Sequence, residues 1–287
     1  RVVQALGCLL AMTMVAGSLT ACGGKSEKKA EKKEGSDVKV AIICSAAGQN
    51  DNGYNQSAVE GAKKAADEFG IEYKVVEPTT GVPQALESLA DDGYNVIFNL
   101  EYDFEALIQG TGGAQPIAEM YPDTTFVCVN DNPNQDKDGK TIHDNVISVL
   151  FDVHQASFVA GALTTLVNEN AETLFGTDDY NFTPADDGGR SVGFIGGTNS
   201  NGITVFSYGY IEGINYEAEK LGVNYDYYAK YDAGFADSAT GSTVAGTYYN
   251  QGANIVFSVA GSVGDGVASK AKEEGKLAIQ VDANKDD

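Results

Sequence analysis

Several short stretches of this sequence gather side chains that can hold a small molecule without reacting with it. They are residues 45–55 (SAAGQNDNGYN), 99–103 (NLEYD), Asn130-Asp131-Asn132, 196–199 with Phe206, 231–235, 260–266, and Asp282. They are rich in Asn, Asp, Gly and aromatic residues and poor in Lys, Arg and His. Carboxylates accept hydrogen bonds from hydroxyls and ring N–H groups, amides both donate and accept, and aromatic rings stack on flat faces. That inventory suits an uncharged polyhydroxyl or heterocyclic solute and suits phosphate badly. The run from Gly261 to Gly266 is glycine-rich, but it lacks the GxGxxG order and has no P-loop lysine. Plainer readings stand beside these: a tight turn for that run, core packing for Tyr54 and Phe206, and helix or turn capping for Asp282.

Bond-making chemistry finds little support. The chain has 2 histidines. His143 lies in a polar segment and His154 at a helix start, and both are expected to be surface or capping residues. Neither has neighbours that resemble a catalytic triad or a metal cluster, and no Ser or Cys sits in a nucleophile elbow. The expectation is a protein without catalytic residues, metal or cofactor.

The elements that must position these loops are legible as an alternation. Strands are expected at 38–44, 71–76, 95–99, 125–129 and 145–151, with helices at 55–69, 82–90 and 104–120, the last weakened in its middle by Gly110, Gly112 and Gly113 and open to a restart at Pro116. After a helix at 154–167 and a polar surface excursion at 168–190, the pattern restarts. Strands are expected at 191–195, 225–230, 254–259 and 277–281, with helices at 203–221, 237–250 and 264–274, Asp237 being placed as an N-cap. Repeated strand–helix units of this length predict an α/β protein of two similar Rossmann-like lobes with parallel sheets. In such sheets ligands bind beyond the C-terminal strand ends, where the loops above fall.

The first residues carry a different message. Residues 1–21 run from a basic start through an apolar stretch to small residues, as a signal peptide does. Leu19-Thr20-Ala21-Cys22 resembles the lipobox of bacterial lipoproteins, which implies cleavage before Cys22 and lipid on its sulfur. Residues 23–36 (GGKSEKKAEKKEGS) bury nothing and read as a flexible tether. The body, about 250 residues, is large enough for one large or two modest cores. A net charge of -22 argues against nucleic acid as a partner. Cys44 and Cys128 lie in apolar runs and read as buried thiols.

Order and spacing along the body resemble the basic membrane protein family, bacterial substrate-binding lipoproteins that include purine nucleoside receptors of ABC transporters. The resemblance rests on Asp51-Asn52-Gly53-Tyr54-Asn55-Gln56-Ser57-Ala58 with Glu60-Gly61, and on Phe158-Val159-Ala160-Gly161-Ala162. It continues through Val192 to Gly197 with Phe206 and Gly209, Gly234-Phe235 with Asp237, Ala260-Gly261 with Gly264 and Gly266, and Val281-Asp282. It implies a type I periplasmic-binding-protein fold with a nucleoside held between the lobes. Tyr54 would stack on the base with Phe206 on its other face, Asn55 would follow the aromatic as in the family, and Asp282 would take ribose hydroxyls. Gly261 would let backbone approach the ligand. Ser45 stands where the family usually has Asp. Asn130, with Asp131 next, stands at a second such position.

The resulting expectation is a signal peptide at 1–21, Cys22 and tether at 22–36, an N-terminal lobe at 37–151 and a C-terminal lobe at 152–281. Residues 282–287 would begin a return crossing, with further chain expected beyond. The protein would be a lipid-anchored, extracytoplasmic monomer that closes on an uncharged solute, a nucleoside first. It would then present that solute to a membrane permease and its ATPase. A sugar or other small-metabolite binder or sensor of the same fold is the alternative. An extracellular nucleoside hydrolase would need a carboxylate or metal cluster, and a repressor would need a helix-turn-helix domain where the leader and tether lie.

Overall fold

A computed structural model describes residues 37–176 and 180–285. The leader, Cys22 and the tether lie outside the described residues, as do the last two positions. The first lobe contains β1 (Lys39–Ile43), α1 (Tyr54–Phe69), β2 (Glu72–Val76), α2 (Val82–Asp91) and β3 (Val96–Asn99). It continues with two short helices, α3 (Glu105–Ile108) and α4 (Ile117–Met120), then β4 (Thr125–Val129) and β5 (Val146–Val149). The second lobe contains α5 (Val153–Glu169), α6 (Ala171–Phe175), β6 (Ser191–Gly196), α7 (Asn201–Leu221) and β7 (Asp226–Lys230). It ends with α8 (Ser238–Asn250), β8 (Ile255–Val259), α9 (Val263–Glu274) and β9 (Leu277–Ile279).

Both sheets are wholly parallel among the described residues. Their orders are β2-β1-β3-β4-β5 and β7-β6-β8-β9, so the two lobes share the same winding. The inner strands β6 and β8 are buried at every residue, whereas the edge strands β2 and β7 mix exposed and half-buried positions. That difference explains why the inner strands read as unbroken apolar runs. Side chains alternate across the first sheet. Ile43, Ile97 and Phe126 pack under α2 with Leu86 and Leu107, while Ile42, Val127 and Leu100 pack under α1 with Ala62. In the second lobe α8 and α9 cover one face around Val256 and Val267, and α7 covers the other around Phe194, Phe257 and Tyr210. Cys44 and Cys128 are buried, free and on opposite faces of the first sheet.

Helices α5 and α7 approach closely because glycines face backbone: a side chain at Gly213 would run into the carbonyl of Phe158. Several expectations are corrected. Residues 104–120 form two single turns: the chain breaks where Gly110, Gly112 and Gly113 take positive φ (73, 60 and 84°) and helix resumes directly after Pro116, as expected, but each piece is far shorter than the mostly helical segment foreseen. The expected strand 145–151 stops at Val149, leaving Leu150 and Phe151 exposed. His143 is buried rather than a surface residue, its Nε2 2.8 Å from the carbonyl oxygen of Ile108. The excursion at 168–190 is tied down by buried polar groups. Asn254 donates to Asn168 and to the Thr183 carbonyl, and the Lys276 ammonium donates to Thr183 Oγ1 and Asn254 Oδ1. Burial lowers the Lys276 pKa to about 8.

Candidate ligand site between the lobes

Parallel winding brings the C-terminal ends of β1, β3, β4, β7, β8 and β9 toward one another. The loops that follow these strands, with the start of α7, enclose a cavity. Its first wall is built by the turn after β1. Asp51 is 4% exposed and sits just ahead of α1, whose N-cap, Gly53, has no side chain to offer. One carboxylate oxygen accepts from the backbone N–H groups of Gly53 (3.1 Å) and Gln56 (3.0 Å). The other accepts from the Asn55 N–H (3.0 Å) and the Asn55 side-chain amide (3.0 Å). Four donors satisfy the orphan groups of the helix start and occupy both oxygens of the carboxylate. Asn55 is fully buried. Its amide also donates to Ser45 Oγ (2.9 Å), and its Oδ1 accepts from the Ser45 N–H (2.9 Å).

Seven of the residues expected at the site line this cavity: Ser45, Asp51, Tyr54, Asn130, Phe206, Gly261 and Asp282. Asn55 does not reach it, because it lies beneath as the brace between β1 and α1. Asp131 lies off it, in a neighbouring depression with Asn132 and His154. Two aromatics that the sequence placed in candidate loops without a role, Tyr102 and Phe235, also line the cavity. Their rings stack at 5.9 Å between centroids and 16° between planes. Ile203, Val259, Ala260 and Val281 supply apolar wall.

Two lining residues other than glycine adopt left-handed backbone, Asn130 (φ 61°) and Asp282 (φ 73°). Asn and Asp tolerate that region best among side-chain-bearing residues. Gly261 (φ 53°) turns the β8 loop toward the other lobe; a Cβ there would stand 2.9 Å from the Phe235 carbonyl oxygen and 3.2 Å from Ala47. The Tyr54 hydroxyl donates to the Val129 carbonyl (3.2 Å).

Asp282 remains exposed as a residue at the rim. Loss of water around its carboxyl nevertheless raises its pKa, with a further push from Asp51, against Lys285 and the Tyr54 N–H, which donates to it. Burial likewise raises the phenol of Tyr54, and that of Tyr102 to about 12. No described residue lining the cavity is Lys, Arg or His. The cavity holds about 40 Å³, room for about one water, whose share of liquid volume is about 30 Å³. A second, largely apolar space of about 710 Å³ adjoins it and shares Tyr54, Asn130, Phe206, Val281 and Asp282.

Two parallel α/β lobes with polar and aromatic residues converging between their strand ends define a two-lobed solute-binding architecture. A solute-binding protein of an ABC transporter system from Aeropyrum pernix has this fold, with a TM-score of 0.66 and 22% identity over 85% of this chain and 61% of that one. The family model for PnrA-like ABC transporter substrate-binding proteins, Bmp, matches residues 38–287. The chain therefore belongs to the Bmp family of substrate-binding proteins. The nucleoside-binding protein BmpA of an ABC transporter of Lactococcus lactis is 28% identical over 88% of this chain. An uncharacterised lipoprotein of Pyrococcus abyssi is 27% identical over 97%. The chain spans 64% and 63% of the lengths of these two relatives.

Proposed function

We propose that this protein is an extracytoplasmic solute-binding lipoprotein of an ABC importer and that it takes a nucleoside between its lobes. The observation that carries the reading is the lining of the cleft. Aromatic rings (Tyr54, Phe206) stand with an accepting carboxylate (Asp282), an amide (Asn130) and a hydroxyl (Ser45), and no described lining residue is cationic. Aromatic faces suit a heterocyclic base, and a carboxylate suits ribose hydroxyls. Membership of the Bmp family and the name of the Lactococcus lactis relative support the same choice. Lobes at 37–151 and 152–281 would hinge through the segment near Phe151, and closure would present the loaded form to a permease and its ATPase. Cys22 would carry the lipid that keeps the monomer beside them.

Titration calorimetry of the whole chain with inosine, guanosine, adenosine and cytidine tests this proposal. Saturable heat with at least one nucleoside, and none with free ribose, is expected. Heat with hexoses and none with nucleosides would replace the nucleoside by a sugar, and silence with every solute would sink the binding role.

A further inference from the structure

The cavity at the strand ends, unlike the wider space beside it, is nearly filled by the protein itself. Small-molecule sites enclose about 300 Å³ or more, and the cavity at the strand ends holds about 40 Å³. What fills it is the stack of Tyr102, from the loop after β3 in the first lobe, on Phe235, which precedes α8 in the second. Two glycines make room for the stack. A Cβ at Gly202 would come within 2.6 Å of the Tyr102 ring, and one at Gly197 would run into the Phe235 ring.

Asn130 fastens the arrangement. Its side chain is buried, and its Nδ2 donates to the Tyr102 hydroxyl (3.1 Å) and, across the lobes, to the carbonyl oxygen of Gly202 (3.1 Å). A backbone carbonyl only accepts, so this position needs a donor. The amide supplies one, whereas a carboxylate there would face the carbonyl with like polarity. Asn130 thus holds the lobes together and the tyrosine in place with one group.

We propose that Tyr102 is a built-in occupant of the ligand space, latched by Asn130, and that solute binds only as Tyr102 leaves. The inference rests on the reading of this cleft as the ligand site. A protein that must first leave a self-filled state binds with an apparent affinity reduced by the fraction already open. The latch therefore lowers affinity and screens out solutes that cannot displace the ring.

The test combines inosine titration with small-angle scattering of the ligand-free whole chain, for the wild type, Tyr102→Ala, Tyr102→Phe and Asn130→Asp. Losing the stack in Tyr102→Ala is expected to tighten inosine binding roughly threefold to tenfold and to enlarge the ligand-free radius of gyration. Asn130→Asp is expected to enlarge that radius too, and Tyr102→Phe, which keeps the stack, to fall between wild type and Tyr102→Ala. Weaker or unchanged inosine binding by Tyr102→Ala, or ligand-free radii unchanged in both Tyr102→Ala and Asn130→Asp, would overturn the proposal. If none of the four proteins binds any nucleoside, the nucleoside reading fails, and the ligand-free radii still decide whether the latch exists.

Discussion

Asp51, ahead of α1, and Asp282, just after β9, line the same cavity from its two sides, yet their oxygens are employed differently. Asp51 is almost completely buried and accepts from three backbone N–H groups and one side-chain amide. Asp282 stands at the exposed rim, accepts from the Tyr54 N–H, and has its pKa raised by loss of solvent. One carboxylate has both oxygens engaged in holding the wall of the cavity, and the other keeps accepting capacity at its rim. Residue type and position near a cleft do not separate these roles; the number of donors already satisfied does.

The largest effect should come from breaking the first side. Asp51→Ala takes the acceptor from three backbone N–H groups at the start of α1 and leaves the Asn55 amide only Ser45 Oγ, and is expected to cost about 3 kcal/mol of stability in urea denaturation. Asp51→Asn keeps one accepting oxygen and should cost less. If Asp51 were chiefly a ligand acceptor, Asp51→Asn would weaken inosine binding with an unchanged urea midpoint.

Next in size is Asp282→Asn. It removes a charged acceptor at a backbone angle that Asn also accepts, so inosine affinity should fall about 30-fold, roughly 2 kcal/mol, with stability changed by less than about 0.5 kcal/mol. A loss of stability as large as that of Asp51→Ala would erase the contrast between the two residues.

The smallest effect is in pH dependence. The pKa of Asp282 is raised on folding, so the folded protein binds its proton more tightly than the unfolded chain does. Its contribution is fully present below the unfolded value, about pH 4, and is lost as pH rises through the elevated folded value. Thermal melts at low ionic strength should therefore show wild type losing stability relative to Asp282→Asn as pH rises from about 4. A parallel pair of curves would mean that the carboxyl is not desolvated.

Much of the fold was legible because inner parallel strands are buried on both faces, so β1, β4, β6 and β8 stand out as apolar runs. The cap of α8 was legible too: the Asp237 side chain accepts from the Ala239 N–H. What local pattern could not convey was tertiary. His143 is polar in a polar segment, and its burial is made tolerable by the carbonyl of Ile108, far away in sequence, at the ring and by the Asn134 amide at its backbone. The loops of the candidate site were legible as loops, but not the division of labour within them. Asn55 was expected at the ligand, and its side chain lies beneath the cavity, bonded to Ser45 and Asp51. Tyr102 and Phe235 lie more than a hundred residues apart, and nothing near either one announces that they stack. Asn130, noted as a departure from the family's usual Asp, acquires a physical reason only beside the Gly202 carbonyl.

The most direct test of the central claim is a crystal structure of the whole chain grown with inosine. The account predicts base density between Tyr54 and Phe206, ribose hydroxyls on Asp282, and Tyr102 displaced from Phe235. Inosine bound elsewhere, or a cleft still filled by the Tyr102–Phe235 stack at saturating inosine, would contradict it.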